Sequence, residues 1–137
     1  MRYEYSVIYP PDEHGHFLKR PLVEIEICGP QGKLKELAFI DSGVDRSLFH
    51  RDIADLLGID LTHAERRRTI GITAEAEVAF TDIVITLPPA KTPLRIPVGF
   101  INSPYVGVLL GQEGFFDQHR ITFARSQGIF TVNQVKR

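Results

Sequence analysis

Asp41 stands at the end of the apolar run Leu37-Ala38-Phe39-Ile40 and opens the tripeptide Asp41-Ser42-Gly43. An ionised carboxylate delivered at the end of a buried strand is expensive unless something compensates it, so an idle charge is out of place there. Such a group can hold and pass a proton, which makes Asp41 a candidate for general acid–base work. The competing reading is a plain β-turn, because Asp, Ser and Gly are all favoured turn formers. A second apolar run, Val108-Leu109-Leu110, ends at Gly111, and a helical segment is expected after each run. The chain therefore carries a faint internal echo of strand, turn and helix.

Other chemistries find no foothold. Gly29-Pro30-Gln31-Gly32-Lys33-Leu34 lacks the spacing and the hydroxyl residue of a phosphate loop, and neither a Gly-x-Ser-x-Gly elbow nor a His-Glu-x-x-His helix occurs. His14 and His16 flank Gly15 without a third ligand at sensible spacing, so no metal site is expected. His50, His63 and His119 are scattered, which leaves no His-based triad, and no cofactor is implied. Cys28 is the lone cysteine and fits a reducing, cytoplasmic setting. Sixteen basic against seventeen acidic side chains give a formal net charge of -1, which favours neither nucleic acid nor an anionic membrane. Arg66-Arg67-Arg68 beside Glu65 reads as a wet loop rather than a nucleic-acid patch. No window approaches the roughly 20 apolar residues that span a bilayer, and Met1 to Val7 is too polar for a secretory signal.

The elements that must position Asp41 read as mostly β. With 137 residues, 43% of them hydrophobic, the chain can bury one core, and a single domain over 1–137 is expected. Val23, Ile25 and Ile27 alternate with Glu24 and Glu26, the period of a strand with one wet face. Gly29-Pro30-Gln31-Gly32 turns it into a return strand, Leu34 to Ile40, that runs into Asp41. Leu48 to Leu57 carries apolar residues at helical spacing with Gly58 as its stop. Thr69 to Leu87 reads as a long hairpin bent near Gly71 or Ala74 to Glu77, and Pro88 to Pro93 must be a loop. Strands are expected again over Leu94 to Ile101 and Val106 to Leu110, a short helix over Gln112 to Phe116, and a last hairpin, Arg120 to Ala124 with Ile129 to Val132, across Ser126-Gln127-Gly128.

Phe39-Ile40-Asp41-Ser42-Gly43-Val44-Asp45 resembles the apolar-apolar-Asp-Ser/Thr-Gly-Ala-Asp loop of the retropepsin family, the single-lobed aspartic proteases of retroviruses and their bacterial and eukaryotic relatives. Val108-Leu109-Leu110-Gly111 resembles its second apolar-apolar-Gly element, and the intervening helix and flap-like hairpin follow in the family's order. The resemblance covers about residues 22–132 in outline and implies an acid-protease fold, a closed β-barrel subunit with one or two short helices. It departs in two places. Gln112 stands where retroviral members carry an Arg that pairs with the second Asp of the loop, so that ion pair is missing or replaced; and the flap-like hairpin offers mainly Gly71.

The resemblance implies peptide-bond hydrolysis by two carboxylates that share one proton, one acting as base toward water and the other as acid toward the scissile carbonyl. With only one Asp-Ser-Gly in the chain, the second carboxylate has to come from another copy, which makes a homodimer part of the mechanism. Asp41 is then catalytic, Ser42 holds the two loops together through its hydroxyl, and Gly43 permits the tight turn. The resemblance further places Asp45 on the substrate main chain, and Gly71 with Ile72 in the hairpin that closes over a peptide or protein substrate. Asp45 has an equally good local reading as a partner of the helix N-terminus. The functional alternative is a retropepsin-like module that dimerises or binds peptides without turnover, since fold does not determine activity. A weaker third is a structural β-domain whose exposed hairpin augments a partner's sheet.

Overall fold

The computed structural model describes residues 1–70 and 75–135. In chain order its strands are β1 (Arg2–Glu4), β2 (Ser6–Ile8), β3 (Leu18–Arg20), β4 (Leu22–Gly29), β5 (Gly32–Ile40), β6 (Ser47–His50), β7 (Glu65–Ile70), β8 (Glu75–Thr86), β9 (Leu94–Ile101), β10 (Val108–Leu110), β11 (His119–Ala124) and β12 (Ile129–Gln134), with helix α1 (Arg51–Leu57) after β6. Six strands follow one another by hydrogen bonding in the order β4-β5-β10-β6-β9-β8, and pairing of β8 back to β4 through Ile27↔Ile85 closes them into a barrel. Closure leaves no open ladder along that ring, which removes the edge that a sheet must otherwise protect. β8 presents one side to β9 from Val78 to Ile85 and divides its other side between β7 and β4. β7 is thus joined to the barrel through the first half of β8. A separate three-stranded sheet, β1-β12-β11, joins the two ends of the chain.

Alternation drives the core. Val23, Ile25 and Ile27 of β4 face inward against Ala38 and Ile40 of β5, while Glu24 is exposed and Glu26 half-buried. The run Leu37 to Ile40, read as continuously apolar, keeps the same two-sided pattern: Leu37 is 59% exposed, and Phe39 lies under the Arg20 guanidinium at 5.1 Å. Phe49, Phe100, Ile85, Ile96, Val98, Leu110, Phe115 and Phe130 complete the interior, Phe49 and Phe100 meeting edge to face at 5.9 Å.

The helix expected over Leu48 to Leu57 begins later. Ser47 and Phe49 are buried and alternate with half-buried Leu48 and His50, a strand signal that helical spacing masked. His50 then caps α1, its Nδ1 accepting the Asp52 N–H at 3.1 Å, and Gly58 ends the helix at φ 67° as expected. Arg66 to Arg68 lie in β7 and not in a loop, because the hairpin starts at Glu65; Arg66 pairs with Glu77 at 2.7 Å across the two strands. Gln112 to Phe116 forms no helix, only a 3-10 turn at Phe116–Gln118. Among the described residues no helix is long and apolar enough to cross a membrane.

Candidate active site

β5 and β10 run parallel, with Phe39 beside Leu109 and Ile40 beside Leu110, so Asp41 and Gly111 leave the barrel side by side. The Asp41 N–H donates to the Leu110 carbonyl at 2.9 Å. From there the chain passes over the end of β10 and returns as β6, antiparallel to β10 on its other side. Loop 41–46 is therefore a crossing, and hydrogen bonds on both sides hold it. The Asp41 carboxylate accepts the Gly43 N–H through Oδ1 at 2.9 Å, and the Val44 N–H donates to the Asp41 carbonyl at 3.3 Å. Past β10, the Gln112 N–H donates to the Val44 carbonyl at 2.8 Å and the Glu113 N–H to the Asp45 carbonyl at 2.7 Å. Beneath the loop, the fully buried Ser47 hydroxyl accepts the Gly111 N–H at 3.0 Å.

Glycine at 111 is a packing requirement. A Cβ built there would sit 2.6 Å from the Val44 carbonyl oxygen and 3.1 Å from the Arg46 carbonyl carbon, both backbone atoms with no rotamer to yield. Gly43 also lies close to Asp41, where a Cβ would meet Oδ1 at 3.2 Å.

Asp41 is half-buried, and its Oδ2 makes no hydrogen bond among the described residues. Ser42 and Gly43 are exposed. Asp45 is exposed as well, and its carboxylate has no hydrogen-bond or ion-pair partner among the described residues. The ion pair of Asp45 with position 112, expected to be missing or replaced, is absent among the described residues, and two other contacts stand beside it. The Gln112 side chain donates through Nε2 to the Ser42 carbonyl at 2.7 Å, and an ion pair forms one residue further along each segment, Arg46 Nε to Glu113 at 3.0 Å. These two residues are also bridge partners in the backbone. Gly71 and Ile72 lie outside the described residues.

Beside the loop opens a cleft of about 750 Å³ lined by Val44, Asp45, Arg46, Leu48, Phe80, Gln112 and Glu113, with Arg67 and Arg68 of β7 and Asp117 on its walls. Asp41 stands next to this cleft along the chain but is not among its lining residues. Ser47, Arg46, Phe80 and Glu113 were not singled out by sequence reading. Only proximity in sequence to Asp45 and Gly111 marked Arg46, Ser47 and Glu113. Among the described residues no group of three or more His, Cys, Asp or Glu side chains is placed to hold a metal.

No family model and no curated protein matches the chain. Among solved structures, the crystal structure of a retropepsin-like aspartic protease from Rickettsia conorii is similar over 96% of each chain, with a TM-score of 0.60 and 17% sequence identity. The fold is retropepsin-like. In this retropepsin-like barrel the parallel pair β5 and β10 delivers the two apolar-strand ends that the sequence marked at Asp41 and Gly111, and the internal echo becomes a physical adjacency.

His119 lies apart from the site, buried and stacked on Phe115 at 4.4 Å. Its Nδ1–H donates to the Phe115 carbonyl at 2.7 Å. Burial pushes its pKa below the ordinary histidine value, and the hydrogen bond to Phe115 opposes that shift without reversing it.

Proposed function

We propose that this chain is one subunit of a homodimeric aspartic endopeptidase in which each copy contributes Asp41. The observation that carries the reading is the crossing loop itself: in a retropepsin-like barrel it carries Asp41 on the same loop whose residues Val44 to Arg46 line a cleft, with one carboxylate oxygen fixed by Gly43 and the other unengaged among the described residues. A fixed Oδ1 and a free Oδ2 suit a group that must keep its orientation while it exchanges a proton.

Two such carboxylates facing each other across a twofold axis cannot both ionise, so the pair retains one proton. The ionised member takes a proton from water as the water oxygen bonds to the scissile carbonyl carbon. The protonated member gives its proton to the carbonyl oxygen. As the tetrahedral intermediate collapses, the carboxyl that took the water's proton gives it to the departing nitrogen, the C–N bond breaks, and the other carboxylate takes a proton from a diol hydroxyl, so the pair again holds one proton. The exposed Ser42 hydroxyl is available to the partner's loop, and the Gln112 amide on the Ser42 carbonyl keeps that residue in place from within the chain. Asp45 accepts hydrogen bonds from substrate main chain, and Gly71 with Ile72, which follow β7 in the sequence, contact the bound peptide.

A second reading, a peptide-binding or dimerisation module without turnover, is favoured by one observation: Asp41 is not among the residues that line the cleft. Titrating the active chain with its Asp41→Asn variant separates the two. If each site draws on two copies, mixed dimers are dead and peptide cleavage falls more steeply than dilution of the native chain explains. Cleavage that stays proportional to the native chain present would sink the shared dyad. No cleavage by the native chain, with peptide still bound, would favour the module.

A further inference from the structure

Three properties of Arg46 bear on what the cleft can hold. Its guanidinium lies over the Phe80 ring at 4.9 Å, and its Nε is tied to Glu113 at 3.0 Å. Its side chain is only 29% exposed, so it is held between an aromatic face and a carboxylate and is not waving in solvent. With Nε occupied, its two terminal nitrogens have no hydrogen-bond partner among the described residues, and Arg46 lines the cleft. A planar fork already fixed in position loses little freedom when it grips a carboxylate.

The acidic groups around it are disposed of differently. Glu113 is engaged by Arg46 itself. Asp117 accepts the Gly114 N–H at 3.1 Å. Asp45 has no partner among the described residues and is an acceptor suited to peptide N–H groups. Of the other cations, Arg67 is bound through Nε to Glu65 at 2.7 Å. Val44, Leu48 and Phe80 give the same stretch of cleft apolar surface.

From this arrangement we infer that the cleft selects peptides with an aspartate or glutamate side chain flanked by apolar residues, and that Arg46 reads that carboxylate. The inference rests on the reading that a peptide occupies this cleft, but not on its being cut.

The test is therefore a binding measurement on the full chain carrying Asp41→Asn, at near-neutral pH, where Asp and Glu side chains are ionised. A positional-scanning peptide library is passed over it and over the double variant with Arg46→Gln. The best retained peptide is then measured by fluorescence polarisation with its acidic residue as Glu or as Gln. Expected are enrichment of Asp and Glu at one library position and roughly tenfold tighter binding of the Glu peptide, in keeping with a charge-assisted hydrogen bond. Both effects should vanish with Arg46→Gln and return in part with Arg46→Lys, which keeps the charge but loses the fork. Equal binding of Glu and Gln peptides to the Asp41→Asn chain, a preference unchanged by Arg46→Gln, or no peptide retained would overturn the inference. Asp41-dependent cleavage without acidic preference would defeat it alone, whereas Arg46-dependent acidic binding by a chain that never cleaves would defeat only the hydrolytic reading.

Discussion

Gly111→Ala is the sharpest probe of the crossing. The added methyl carbon would lie 2.6 Å from the Val44 carbonyl oxygen and within 3.2 Å of backbone at Arg46 and Ser47. Because every close atom is main chain, relief requires lifting loop 41–46 off the end of β10. Overpacking of this kind costs about 1–3 kcal/mol. Lifting the loop also stretches the bonds from Gly111 N to Ser47 Oγ, Gln112 N to the Val44 carbonyl and Glu113 N to the Asp45 carbonyl. Each is worth roughly 0.5–1.5 kcal/mol net, so loss of one or two brings the total to about 1.5–6 kcal/mol. Against a typical stability of about 5–15 kcal/mol that is a large fraction. Urea denaturation followed by circular dichroism measures it directly, with Gly107→Ala as control. Gly107 precedes the same strand, and a Cβ there meets nothing within 4 Å, so that variant should stay within about 0.5 kcal/mol of the parent. If Gly111→Ala proves as benign as Gly107→Ala, the chain does not cross β10 at the distance described.

Ser47→Ala should cost about 1–3 kcal/mol, because it strips the buried Gly111 N–H of its acceptor; the same denaturation experiment checks it. His119 should make stability fall with acid. Its folded pKa is depressed, so the unfolded chain binds the proton more readily, and stability is fully present above the ordinary histidine pKa of about 6.5 and declines as pH drops below it. His119→Phe should flatten that part of the pH–stability curve, and an unchanged slope would show that burial does not hold the ring neutral.

Much of the barrel was legible because its signal is local. Val23, Ile25 and Ile27 announce β4 by alternation, Gly29 to Gly32 its turn, and Gly58 the end of α1. The adjacency of Asp41 and Gly111 was foreshadowed by two apolar runs ending in turn residues. Where two periods compete, sequence reading chose wrongly: Leu48 and Phe49 fit a helix by spacing, and barrel pairing with Val108 and Phe100 overrode it. Arg66 to Arg68 look like loop residues because strand propensity is weak for them, yet Glu77 across the hairpin neutralises Arg66. Partnerships between distant residues left no trace at all. Ser47 with Gly111, Arg46 with Glu113 and β1 with β12 join segments that only the closed fold brings together. The contact of Gln112 with Ser42, standing where the family's ion pair was expected to be missing or replaced, belongs to the same class.

The central claim, that Asp41 activates water for peptide-bond hydrolysis, meets its most direct test in a comparison of termini. The purified chain and its Asp41→Ala variant, each verified as folded, are incubated with a complex peptide mixture from about pH 4 to pH 7, the range in which a coupled carboxylate pair changes protonation. New termini are identified by mass spectrometry. Cleavage by the native chain that disappears in Asp41→Ala is the predicted result, whereas identical maps from the two proteins, empty or not, would contradict the account.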